Sequence, residues 1–284
     1  MFKSKQGLSF GYRAIRNVFL WVGTIIIMYP LLWMIAGSLK TDEAIRMDMY
    51  GLIPIGGPAW GNYVFAWRVA NIWRNGLNSI YISVFSLLFI IVLTYLSSYA
   101  LARIDFPGRN LLLTIFVALM LVPLGSVTLI PQFRLISQMG LHNNLWSLII
   151  LSVNRGIPIS VFLLTSFLQT IPRELDESAF IDGAGRLRII FQIYFPLSRP
   201  GLATVIIFQF MIIWNDYFLP LIYLQRPEVR TVTLGLSNFN HLFGQVDYNM
   251  LFAALCTVTM PIVIVYLIFQ RWFISGITAG AVKA

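Results

Sequence analysis

Six stretches of this chain are apolar over enough residues to cross a lipid bilayer as helices, and no other feature narrows its fold as far. A helical span needs about 20 predominantly apolar residues. Residues 17–39, 75–102, 110–130 and 248–270 contain no Asp, Glu, Lys or Arg, whereas 145–168 carries Arg155 and 200–224 carries Asp216. The run at 17–39 is too long for a removed signal peptide and lacks a small-residue cleavage site, so it is expected to remain as an anchor. With 58% hydrophobic and 11% charged residues, the chain has too little polar surface for a soluble globule. The expected fold is all-α: a polytopic membrane protein of about six transmembrane helices. Residues 1–16 would precede a spanning domain at 17–273, and 274–284 would form a tail.

The net charge of +9 is spread between the apolar runs rather than gathered with aromatics on a polar face, which argues against nucleic acid as a partner. The basic residues read instead as topology determinants. One side of the membrane collects Lys3, Lys5, Arg13, Arg16, Arg103, Arg109, Arg173, Arg186, Arg188, Arg199, Arg271 and Lys283. The other has Lys40, Arg46, Arg68, Arg74, Arg134, Arg226 and Arg230. Because positive loops stay in the cytoplasm, both termini are expected there. The outer segment between Lys40 and Arg74 holds the turn formers Pro54, Gly56, Gly57 and Pro58, and its Trp60, Tyr63, Trp67 and Trp73 suit an interfacial helix.

Several chemistries find no support. The lone Cys256 lies in an apolar run and reads as a packing residue. His142 and His241 fall in outer loops without ligands at metal spacing, so no metal is implied. No glycine-rich loop ends in Lys-Ser or Lys-Thr, so ATP would have to be hydrolysed elsewhere, and no nucleophile and base cluster at one membrane face. A translocator is expected rather than an enzyme.

Charges within the apolar runs are costly in lipid and should face the bundle interior, a partner or water. Asp216, beside Asn215, either borders a substrate path or sits at the outer interface. Arg155 either lines such a path or has a structural role, and Gly156 and Pro158 are expected to break the fourth span locally. In a self-contained secondary transporter or channel, Arg155 and Asp216 would form the ion pathway.

The polar segment at 172–196 separates the fourth and fifth runs. Pro172 suits a helix start, and Glu174, Asp176 and Glu177 complement the positive end of the helix dipole. On a helical reading Leu175, Ala179, Gly183, Leu187 and Phe191 share a face whose small central residues permit close approach. Periodicity alone leaves two readings open, a helix docked on a partner or an amphipathic helix lying in the headgroups.

The order Glu177-Ser178-Ala179, then Gly183, then Ile193 and Pro196, resembles the EAA signature of bacterial ABC importer permeases. Ser178 stands where that family usually has Ala, and Phe195 where it often has Leu. Glu-Leu-Asp-Glu at 174–177, Ile-Asp-Gly-Ala at 181–184, Trp214-Asn215-Asp216 and the Gly276 to Lys283 tail are similar to the carbohydrate branch, of the maltose-permease second-subunit type. The resemblance covers essentially the whole chain. It implies a type I importer permease fold with a cytoplasmic coupling helix, a helix-turn-helix that docks on an ATPase through Glu174, Glu177, Ser178, Ala179, Asp182, Gly183 and Arg186. It also implies that Thr278, Ala279 and Gly280 reach between the ATPase subunits; read without it, the tail is a disordered terminus. The implied partners are a second, distinct permease subunit, an ATPase homodimer carrying ATP and Mg, and an extracytoplasmic solute-binding protein that delivers a sugar. The implied location is the bacterial inner membrane.

Overall fold

The structure is a computed structural model and describes residues 10–121, 125–240 and 247–281. Among the described residues every regular element is a helix. In chain order these are α1 (Phe10–Ser38), α2 (Asp42–Met47), α3 (Gly61–Val69), α4 (Ile72–Arg103), α5 (Arg109–Leu121), α6 (Gly125–Gln138) and α7 (Leu145–Leu168). They continue as α8 (Glu174–Ile181), α9 (Arg186–Leu197), α10 (Arg199–Trp214), α11 (Phe218–Tyr223), α12 (Val232–Gly235) and α13 (Tyr248–Ala281).

Four helices are singly long and apolar enough to cross a membrane: Ile15–Ser38 within α1, α4, α7, and Tyr248–Ile274 within α13. The fourth expected span matches α7 to the residue. Its helix is continuous through Arg155, Gly156 and Pro158, against the expectation of a local break. Pro158 removes one backbone donor, and on either side of it Gln209 Nε2 on α10 donates to Gly156 O (3.2 Å) and Ser160 Oγ (3.0 Å).

The third and fifth runs are each carried by more than one described helix. Within 110–130, α5 is described to Leu121 and α6 from Gly125 to Gln138, and residues 122–124 lie outside the described residues. At about 1.5 Å per residue α5 spans about 20 Å, short of a hydrocarbon core about 30 Å thick. The fifth run is interrupted at Asn215-Asp216-Tyr217, between α10 and α11. Before it, α9 meets α10 at a bend of 69°. Pro196 and Pro200 flank that bend, where each removes a backbone donor. At the far end α13 runs to Ala281, so the backbone of 274–281 extends the last helix rather than forming a tail.

The described residues divide into two compact units, one up to Ala70 with Leu236–Thr257, the other Asn71–Gly235 with the residues from Val258. In the first unit the outer segment contains two short helices, α2 and α3, where one interfacial helix was expected. Lys40, read from sequence as an outer-loop charge, is fully buried and donates through Nζ to Asp48 O. Asn62 Nδ2 holds the end of α1 by donating to Ser38 O (2.8 Å) and Lys40 O (2.9 Å). Cys256 is buried, in keeping with a packing role.

The second unit is built on α4 against α7, with α10 on both. Ser79, Ser83, Ser86, Thr94 and Ser98 are buried on α4, and Ser147, Ser160 and Thr165 on α7. Small residues let two membrane helices approach closely, as when Ser98 Oγ donates to Val161 O (3.2 Å). Gly156 marks a close approach: a Cβ there would lie 2.8 Å from both Ile90 Cδ1 and Gln209 Oε1.

Candidate functional site

The polar segment folds as helix, turn, helix. Glu174, Asp176 and Glu177 occupy the first turn of α8, where their charge favours the exposed N–H groups. The helix ends in a paired-bond cap: Gly183 N donates to Phe180 O (3.0 Å) and Ala184 N to Ala179 O (2.9 Å). This cap places Gly183 at φ +76°, in the left-handed region. A Cβ on Gly183 would meet nothing within 4 Å, so the glycine answers a conformational requirement. The continuous face drawn from Leu175 to Phe191 therefore does not exist, since the chain turns at its midpoint.

Of the predicted coupling residues, Ala179 is buried in the apolar core. Glu174, Glu177, Ser178, Asp182, Gly183 and Arg186 are exposed. Exposed with them are Phe180 (53%), Ile181 (86%), Leu187 (71%), Arg173 and Arg188, which gives the segment an outer surface of apolar groups and charges of both signs. Ser178 Oγ donates back to Glu174 O (2.7 Å), a bond internal to α8.

The inner surface of the segment is gripped by α4. Arg103, whose side chain is 4% exposed, donates through Nη2 to Leu168 O, at the end of α7, and to Ile171 O just beyond it, both at 2.6 Å. Its Nη1 lies 3.7 Å from Asp176 Oδ2, and its guanidinium sits 4.7 Å over the Tyr194 ring. The Tyr194 hydroxyl donates to the same Asp176 oxygen at 2.7 Å. Burial first, and then that bond, hold the Tyr194 phenol above its ordinary pKa, so it stays a neutral donor. Tyr99 meets Tyr194 edge to face at 5.3 Å, and the Tyr95 hydroxyl donates to Ile190 O. Ile190 and Tyr194 belong to a π-helical turn, Ile189–Tyr194, within α9.

Sequence reading counted Arg103 only as a topology determinant and passed over Tyr95, Tyr99 and Tyr194. The available signal was the four-residue spacing of Tyr95, Tyr99 and Arg103, which puts them on one face of α4.

The structure brings the two intramembrane charges together. Arg155 Nη1 lies 3.1 Å from Asp216 Oδ2, with the side chains 55% and 16% exposed. Asp216 also shapes the helix interruption, since Oδ1 accepts from Leu219 N (3.2 Å) and its carbonyl accepts from Thr233 Oγ1 (2.8 Å). The pair borders a cavity of about 100 Å³ whose other polar lining comes from Ser152 and Gln209. Asn215 is adjacent, but its Nδ2 donates back to Met211 O (2.9 Å). Neither Ser152 nor Gln209 was singled out from sequence, although Gln209 is the one amide in the apolar stretch of α10.

Thr278, Ala279 and Gly280 continue the backbone of α13, and their side chains lie outside the described residues. His142 packs edge to face on Phe133 at 5.4 Å. His241 lies outside the described residues.

Comparison with known proteins agrees with this architecture. Residues 94–279 match the family model described as "Binding-protein-dependent transport system inner membrane component". The diacetylchitobiose uptake system permease protein NgcG of Streptomyces coelicolor is 32% identical over 275 residues, covering 96% of this chain and 89% of that protein. The arabinooligosaccharides transport system permease protein AraQ of Bacillus subtilis is 30% identical over 274 residues, covering 96% of each. The melibiose/raffinose/stachyose import permease protein MelC of Bacillus subtilis is 34% identical over 225 residues, covering 78% of this chain and 80% of that protein. The fold matches a chain in the crystal structure of a bacterial ABC transporter involved in the import of the acidic polysaccharide alginate. That match has a TM-score of 0.79 at 20% identity and covers 96% of this chain and 100% of that one. With a membrane-spanning helical fold and a family match running from the middle of α4 through the gripped segment to α13, this chain belongs to the family of binding-protein-dependent transport system inner membrane components.

Proposed function

We propose that this chain is a permease subunit of an ATP-driven importer of oligosaccharides or related carbohydrates, delivered by an extracytoplasmic solute-binding protein. The observation that carries the proposal is the helix-turn-helix: its outer surface presents Glu174, Glu177, Asp182, Ile181 and Leu187, while its inner surface is held by α4 and α7. Such an element is suited to dock on a partner and pass movement inward. The partner is an ATPase homodimer that binds ATP and Mg, and this chain supplies no hydrolytic chemistry. A second, distinct permease completes the pore. Both termini lie in the cytoplasm of a bacterium, where Thr278, Ala279 and Gly280 reach the ATPase interface. The family membership and the oligosaccharide names of the relatives support the substrate class.

Transport then follows alternating access: ATP closes the ATPase pair, the docked segment moves with it, and the bundle exchanges inward-facing for outward-facing states. Arg155, Asp216 and Asn215 border the path of the sugar, as befits charges that lipid does not tolerate. Purification of the tagged chain from its native membrane tests the reading. A soluble ATPase is expected to accompany it, and Gly183→Asp or Glu177→Lys should weaken that association or uncouple hydrolysis. Transport by the isolated chain alone would overturn it.

A further inference from the structure

The contacts between α4 and the polar segment form one partly satisfied cluster. Arg103 Nε and Asp176 Oδ1 are both buried without a hydrogen-bond partner. They belong to an ion pair whose closest separation, 3.7 Å, is about 1 Å longer than a formed guanidinium–carboxylate bond. Asp176 thus has one oxygen engaged by Tyr194 and one buried without a partner, and stands about 1 Å short of a direct bond from Arg103 Nη1.

We propose that Arg103 and Asp176 form a two-position latch, open in this structure and closed when α8 is driven toward α4, and that it transmits movement of α8 into α4 and α7. Arg103 is the positioning residue, because it joins three elements at once. Its two bonds to Leu168 O and Ile171 O fix it to the end of α7, its backbone ends α4, and its Nη1 faces Asp176 on α8. Tyr194 sets the open position by donating to Asp176 Oδ2, the oxygen nearest Arg103. The π-helical turn beneath, held by Tyr95 at Ile190 O and by Tyr99 at the Tyr194 ring, supplies the local slack. A small displacement of α8 is thereby converted into a choice between two hydrogen-bond arrangements, the kind of discrete element that carries coupling between distant sites. The inference rests on the proposed docking of α8 on an ATPase.

The test is hydrogen exchange on the complete importer, with its ATPase and partner permease, comparing the nucleotide-free complex with one held in ATP plus vanadate. Peptides covering 98–104 and 174–182 report α4 and α8. In the wild-type complex both should change protection together. In Tyr194→Phe, which keeps the ring and loses only the hydroxyl, and in Arg103→Lys, which keeps the charge and loses the fork, the α8 response should persist. The α4 response should fall by about fivefold, the lower end of the usual coupling between sites. An α4 response absent from wild type, or at wild-type size in both variants, overturns the latch. An α8 peptide indifferent to nucleotide in wild type overturns the docking proposal instead. The wild-type arm needs no substitution, so it decides even where a variant fails to assemble.

Discussion

Replacement of Gly183 separates two physical accounts of the same residue. In the structure Gly183 sits at φ +76° with open space where a Cβ would project, and its N–H and that of Ala184 close the end of α8. Within this chain the penalty for a side chain is therefore backbone strain alone, about 1–2 kcal/mol for an ordinary residue in the left-handed region. That corresponds to a roughly 5–30-fold loss in the population of the turn. Asn enters this region several-fold more readily than most residues, so the conformational account ranks Gly above Asn above Ala. If instead a partner surface requires the smallest possible side chain, Ala should outrank Asn. The assay is the yield of ATPase co-purified with each variant at fixed salt, with the exchange rate of the Ala184 amide as an internal measure of the turn. Ala binding the ATPase as well as Gly, or better than Asn, would refute the conformational argument. Equal co-purification with a faster amide would separate the turn from docking altogether.

Three further outcomes follow from other parts of the chain. Arg155→Ala should lower sugar uptake with assembly intact, while costing only about 1 kcal/mol in stability because the Arg155 side chain is more than half exposed; unchanged uptake would remove Arg155 from the path. Gly156→Ala should destabilise the second unit by about 1–3 kcal/mol through overpacking against Ile90 and Gln209, seen as a lower Tm in detergent, and an unchanged Tm would contradict the close approach. Asn143 adopts φ +59° and accepts through Oδ1 from Gln225 N (2.7 Å) and Arg226 N (3.0 Å). Asn143→Gly keeps the conformation and loses the acceptor, so the amides of Gln225 and Arg226 should exchange about tenfold faster, a loss of about 1.4 kcal/mol; unchanged exchange would show that the acceptor contributes nothing.

What could be read from sequence depended on how local the physics was. The bounds of α7 were legible to the residue because the apolar run, despite Arg155, is a local property, and Asn144 caps it by accepting a bond from Trp146 N (3.0 Å). Its continuity through Pro158, and the bonds that Gln209 on another helix makes to Gly156 and Ser160 beside it, were not legible. In the third run the residues around Pro123 lie outside the described ones, and α6 continues past the predicted end of the run to Gln138, carrying Arg134 within it. At Gly183 the four-residue periodicity of Leu175, Ala179, Leu187 and Phe191 suggested one helix, while Gly183-Ala184-Gly185 already carried the signature of a helix end. The pairing of Arg155 with Asp216, 61 residues apart, and the buried grip of Arg103 are tertiary facts that no periodicity encodes.

The first helix carries a consequence of another kind. Its most apolar 18-residue window, within Ile15–Ser38, has no buried residue, whereas Ala36, Gly37 and Ser38 at its end are packed. Most substitutions among Leu, Ile, Val and Phe along its length should thus be invisible to the folding of this chain, while changes in its final turn should not. Over evolutionary time α1 is free to drift in letters while holding its hydrophobicity. Any position along it that refuses to drift reports a demand made by lipid or by another subunit, so the pattern of tolerated substitutions in α1 becomes a footprint of its neighbours.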